Sequence, residues 1–165
     1  MPSAEEYESE AAEVAGEISK LADEHGFTVA VAESLTGGKI AQQFSAAEHS
    51  SDWFAGGVVA YQTEVKHSAL GVPRGPVISE EAVKTMATGV AEMMNADAVI
   101  AASGSGGPEK QEGNEPGTTW LAVLVRGIMH TELHHFSGDP LEVLAKTQDR
   151  VLPMLRDAMR EAVQD

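Results

Sequence analysis

The stretch Phe27-Thr-Val-Ala-Val-Ala-Glu-Ser-Leu-Thr-Gly-Gly38 decides the fold. Its first half, Phe27 to Ala32, is a short apolar run with β-branched residues and reads as a buried strand. Its second half puts the hydroxyls of Ser34 and Thr36 beside two glycines, where the strand gives way to a helix predicted through Phe44. Exposed amides at such a junction attract anions. The plainer reading makes Thr36 the helix cap and the glycines simple turn residues.

Working outward, Ala11, Val14, Ile18, Leu21 and Ala22 recur at spacings of three and four, which predicts a helix over 5–25 ended by Gly26. Gly57 to Tyr61 reads as a second strand, followed by a short helix over 63–70 and a proline-rich loop, Val72-Pro-Arg-Gly-Pro76. Ser79-Glu-Glu-Ala has the composition of a capped, acidic first turn for a helix reaching Met94. Ala96 to Ala102 is a third strand, ending in Ser103-Gly-Ser-Gly-Gly-Pro108. A polar loop runs on to Gly117, and loops of that length in compact domains tend to be functional or mobile. Strands over 118–126 and 129–136 about Gly127 predict a hairpin, and a last helix covers 140–163. The pattern predicts a single α/β domain over 1–165. Its architecture is a three-layer α/β/α sandwich with a mixed, mainly parallel sheet and a C-terminal β-hairpin. Ligands in such folds gather where strand C-terminal ends meet helix N-termini, and two of the early strands end in glycine-rich, hydroxyl-bearing turns.

Charge narrows the function. The chain of 165 residues carries 11 Lys+Arg against 26 Asp+Glu, a net charge of −15. Nucleic-acid affinity comes mainly from cations on phosphates, so no nucleic-acid partner is expected, and no anionic membrane surface either. An anionic ligand has to be held locally, by backbone amides and a few chosen cations. There is no cysteine, hence no disulfide, thiolate metal site or cysteine nucleophile. The acidic beginning is unlike a secretory leader and points to the cytoplasm. His130, Glu132 and His134 share one strand face, where metal ligation competes with an ordinary polar edge. No metal and no cofactor is expected. Lys66 follows the second strand within about one helical turn, where a solvated surface lysine is the plainer reading and the scarcity of lysines adds only slight weight to a functional one.

These residues also carry a family resemblance. Ala32-Glu-Ser-Leu-Thr-Gly-Gly38, Phe54-Ala-Gly-Gly-Val-Val-Ala-Tyr61, Lys66 with Leu70-Gly-Val72, Ser103-Gly-Ser-Gly-Gly-Pro108, Pro116-Gly-Thr-Thr-Trp120 and Phe136-Ser-Gly-Asp139 occur in family order. Together they resemble the CinA C-terminal domain family, whose enzymes include the stand-alone PncC type. The resemblance implies a homodimeric amidohydrolase acting on a small molecule without a metal. The reaction implied is deamidation of nicotinamide mononucleotide to nicotinic acid mononucleotide and ammonia. Carried over by position, Ser34 is the nucleophile, with Tyr61 and Lys66 catalytic beside it. Thr36, Gly37, Gly38, Ser103, Gly104, Ser105 and Gly106 lie around the substrate. The chain departs from the family where Ser103 replaces a threonine, Thr63 an asparagine, and Pro140 and Leu144 two arginines. Lys146 or Arg150 are the nearby cations that could replace those arginines. Two alternatives stay open: hydrolysis of another small amide, and a nucleotide-binding protein without turnover.

Chemistry sets a condition on Lys66. A free lysine has a pKa near 10.4, so only about one in 2,500 is neutral at pH 7. Acting as base requires burial or a neighbouring cation, whereas the net negative charge and adjacent Glu64 favour the ammonium.

Overall fold

The computed structural model describes residues 2–164. The described elements, in order, are α1 (Ala4–His25), β1 (Val29–Glu33), α2 (Lys39–Ala46), α3 (Ser50–Trp53), β2 (Phe54–Val59), α4 (Thr63–Leu70), α5 (Glu80–Met94), β3 (Ala98–Gly104), β4 (Thr118–Val125), β5 (Ile128–His135) and α6 (Pro140–Ala162). The sheet runs β2-β1-β3-β4-β5. β1 is parallel to both neighbours, and the β3–β4 and β4–β5 pairs are antiparallel, so only β4 opposes the other strands.

Side chains on successive strand residues point to opposite faces, and here each face has its own core. Val29, Val31 and Ile100 pack with Ile18, Phe44 and Leu155 beneath α1, α2 and α6. Ala30, Ala32 and Val99 pack with Val83, Met86 and Val90 beneath α5. All five residues of β1 are therefore buried, which explains a continuous apolar run instead of an alternating one.

Pairing moved some boundaries. β2 begins at Phe54, three residues before the predicted Gly57, because its parallel ladder with β1 pairs Val29 with Phe54. β3 runs past Ala102 because Ser103 and Gly104 stay paired to Trp120 and Thr119. The short α3 was not predicted. It places Trp53 edge-on against Phe44, with ring centroids 5.6 Å apart, a tertiary contact that no local pattern announces.

The start of α2 is also not capped as the sequence suggests. Its N-cap is Gly38 at φ 104°, with no side-chain cap, and Thr36 Oγ1 is buried without a partner among the described residues. Gly37, at φ 59°, and Gly38 turn the chain through conformations that residues with a Cβ avoid. The capping group is the fully buried Glu33 carboxylate, which accepts from Ile40 N at 3.0 Å and Ala41 N at 2.9 Å. A carboxylate at a helix N-terminus satisfies orphan amides and complements the dipole.

Glu33→Ala leaves two helix amides without their acceptor, and a charged hydrogen bond is worth about 1.5–3 kcal/mol. The variant is expected to lose about 2–4 kcal/mol in urea unfolding. A loss no greater than that of the exposed Glu92→Ala would show that the cap does not hold this junction.

Candidate active site

The C-terminal ends of β1 and β3 open into a cavity of about 330 Å³. Ser34, Tyr61, Lys66, Gly104 and Gly106 all lie on its wall. Ser34 immediately follows β1 and is 4% exposed. Its backbone is fixed from both sides: Ala60 N donates to Glu33 O at 2.7 Å, and Gly37 N donates to Ser34 O at 3.0 Å. Gly104 is at the end of β3, where an added Cβ would lie 2.5 Å from Thr118 O. Glycine is what lets β4 approach that closely.

Lys66 projects from α4 and is only 4% exposed. Burial pushes its pKa below the ordinary 10.5, and the Glu112 carboxylate opposes that shift. Among the described residues no carboxylate forms an ion pair with it. Glu64, which the sequence offers as the group holding Lys66 charged, turns outward to Arg74, with Nη2 at 3.0 Å. The carboxylate that acts on Lys66 instead lies more than forty residues away in the chain. Ser34 and Lys66 share the cavity wall without a hydrogen bond to each other.

Sequence reasoning missed another part of the cavity lining. The segment before α5 turns the Val77 and Ile78 amides to Glu112, whose carboxylate accepts from Val77 N at 3.0 and 3.1 Å and from Ile78 N at 2.8 Å. The buried Ser103 hydroxyl donates to Val77 O at 2.7 Å and ties this segment to β3. Ser103 thus shapes the cavity from behind its wall. Ser105 donates to Glu109 O at 3.2 Å, and Thr36, Gly37, Gly38, Ser103 and Ser105 do not line the cavity.

The positions that resemble family arginines, Pro140 and Leu144, lie in α6 away from the cavity lining. The two replacement cations are committed elsewhere. Lys146 Nζ donates to Ser137 O at 2.6 Å, and Arg150 binds Glu132 through Nε at 2.7 Å and Nη2 at 2.6 Å. Lys66 is the sole cation lining the cavity among the described residues. Glu132 also meets His134 Nε2 at 2.7 Å, and the His134 ring stacks on Phe136 at 4.9 Å. The β5 face considered for metal is therefore an ion-pair cluster beneath α6. Asp23, His49 and Asp52 form an exposed group with ligand atoms within 4.8 Å of one another, outside the cavity lining. No described helix is long and apolar enough to cross a membrane.

Residues 11–159 match the family model of the CinA C-terminal domain. The chain belongs to that family. The YdeJ protein of Escherichia coli is 39% identical over 131 residues, covering 76% of this chain and 75% of that protein. A CinA-like protein of Citrifermentans bemidjiense is 36% identical over 146 residues, covering 84% of this chain and 35% of the relative. This chain spans about a third of the length of the CinA-like and competence-damage inducible relatives that it matches. The crystal structure of competence damage-inducible protein A from Klebsiella pneumoniae superposes with a TM-score of 0.87 at 31% identity. That match covers 94% of this chain and 99% of that one. The layered fold is thus shared with that structure.

Two solution tests follow. The folded state lowers the pKa of Lys66, so the unfolded chain binds its proton more tightly, and Lys66 costs stability while it is charged in the fold. Lys66→Met is expected to unfold at higher temperature than wild type at pH 7, with the gap closing as pH rises toward 10.5. A gap that widens with pH has the wrong sign. Glu132 is held at about 2, chiefly by Arg150 and then by His134. Its stabilisation is present above the ordinary 4.5 and is lost as pH falls through about 2. Arg150→Met should therefore lie below wild type in thermal stability above pH 4.5 and converge with it toward pH 2.

Proposed function

We propose that the protein is an amidohydrolase that deamidates nicotinamide mononucleotide, with Ser34 as nucleophile and Lys66 as proton carrier. The observation that carries this reading is the pairing of a turn-mounted serine and a desolvated lysine on one cavity wall. A serine hydroxyl needs an adjacent base to attack an amide, and desolvation is one of the few ways a lysine becomes one.

Ser34 Oγ attacks the carboxamide carbon while its proton passes to neutral Lys66. In this reading the resulting oxyanion accepts from backbone amides, for which Leu35, Gly106 and Gly107 are the candidates among the residues lining the cavity. Collapse breaks the C–N bond, and the Lys66 ammonium returns its proton to the leaving nitrogen, releasing ammonia. Water then attacks the seryl ester, losing its proton to Lys66. The acid departs and the proton returns to Ser34 Oγ. Tyr61, exposed at the cavity rim, walls the substrate ring. Homodimer formation and a cytoplasmic location belong to this reading as well.

A second reading has its own support: with no arginine lining the cavity among the described residues, a less phosphorylated amide such as nicotinamide riboside is the better substrate. Ammonia release from the mononucleotide, the riboside and nicotinamide separates the two. Ser34→Ala is expected to lower turnover by about 10³-fold or more, as nucleophile removal does elsewhere. Near-normal turnover in that variant would falsify the serine mechanism. Tight binding without ammonia would make the chain a nucleotide-binding protein.

A further inference from the structure

The Val77 and Ile78 amides form a small donor pair facing the cavity, and a carboxylate of the chain itself occupies it. Glu112 makes three contacts with two consecutive backbone N–H groups, all between 2.8 and 3.1 Å. Apart from that carboxylate the residue is exposed, on the polar loop between β3 and β4. Its backbone sits at φ 52° and is followed by Gly113 at φ 76°. These hydrogen bonds account for how the side chain is held, since no apolar packing buries it. The amides belong to a rigid wall: Val77 and Ile78 are buried, and Ser103 anchors Val77 O from behind. The donor pair is therefore fixed in the core, and its occupant belongs to an exposed loop.

We propose that the Val77–Ile78 amide pair is the seat for a ligand oxyanion, a carboxylate or phosphate, and that Glu112 is a tethered stand-in which the ligand displaces. The donors match that class: paired backbone amides bind oxyanions without adding net charge, as in the nests of other anion sites. Lys66 on the same cavity wall adds the one cation there. The seat supplies a grip on phosphate that Pro140, Leu144, Lys146 and Arg150 do not provide. Displacement also has a structural consequence. Once Glu112 leaves the seat, its loop loses the side-chain contacts that tie it to the segment before α5.

The inference rests on the reading that substrate binds in this cavity, yet its test needs no turnover. Inorganic phosphate and acetate are titrated into uniformly ¹⁵N-labelled protein, following amide resonances. A tethered competitor weakens apparent affinity by the fraction of time it holds the seat. Removing it in Glu112→Ala is therefore expected to tighten phosphate binding by about ten-fold or more, with Val77 and Ile78 amides shifting most. The gain should shrink in Glu112→Ala combined with Lys66→Met. In wild type, saturating phosphate should speed amide exchange across residues 109–115. Glu112→Gln keeps an oxygen acceptor without the charge and should lie between, so it carries the test if the alanine variant unfolds. Acetate matching phosphate assigns a general oxyanion seat; phosphate alone assigns a phosphate seat. Unchanged affinity in both variants, or tighter binding without movement of Val77 and Ile78, overturns the proposal. Ammonia release can fail while this binding succeeds, and the reverse, so the two readings fall separately.

Discussion

The arrangement of the site depends on one buried carboxylate. Glu33 ends β1 on the face covered by α2, and its two oxygens take the Ile40 and Ala41 amides. Its main-chain carbonyl simultaneously accepts from Ala60 just beyond β2. One residue therefore fixes the strand end, the helix start and the neighbouring strand. Ser34 comes directly after it, on the cavity lining. Buried charge is costly unless satisfied, and here the helix amides satisfy it. The precision of the serine follows from a hydrogen-bonded cap, with packing filling the space around it.

A second constraint is electrostatic and works against the first impression of the composition. A chain with net charge −15 ought to hold lysines firmly charged, because acidic surroundings favour the ammonium. Burial is a local effect, however, and at Lys66 it is the larger one, with Glu112 opposing it. Glu64 is adjacent in sequence and irrelevant in space, since α4 turns it to Arg74 in solvent. Net charge sets the long-range field for approaching ligands, while the protonation of a single buried group is decided within a few ångströms.

This contrast explains how much of the molecule was legible in the sequence. Layer order and the glycine turns are readable because each rests on local pattern, apolar runs and turn residues, while Ser34 and Lys66 are singled out by the family resemblance and the fold sets both on one cavity lining. The α2 cap was misread because Thr36 has the right composition, whereas the acceptor that reaches the amides belongs to a strand residue. Only its place, an acid closing an otherwise apolar run, hinted at it. Glu112 and the Val77–Ile78 amides gave no signal, being brought together across about 35 residues by loop geometry. The resemblance sets Ser103 beside the substrate, and in the fold its hydroxyl donates to Val77 O behind the cavity wall. The β5 histidines flank a carboxylate whose partner, Arg150 of α6, no pattern within the strand announces.

Glu112 links the seat to the lysine, and the two functions remain separable. While the carboxylate rests on the amides, it is a fixed negative charge that favours the Lys66 ammonium. A ligand oxyanion in the same seat restores a negative charge at nearly the same place, so the exchange leaves the field at Lys66 largely unchanged. The drive toward the neutral amine must then come from water exclusion as the ligand fills the cavity, because desolvation penalises only the charged form. In the proposed reaction, anion binding and base activation thus draw on different physics in one cavity, the first on paired backbone dipoles and the second on burial. An acidic protein can use both, since neither requires it to add a positive charge.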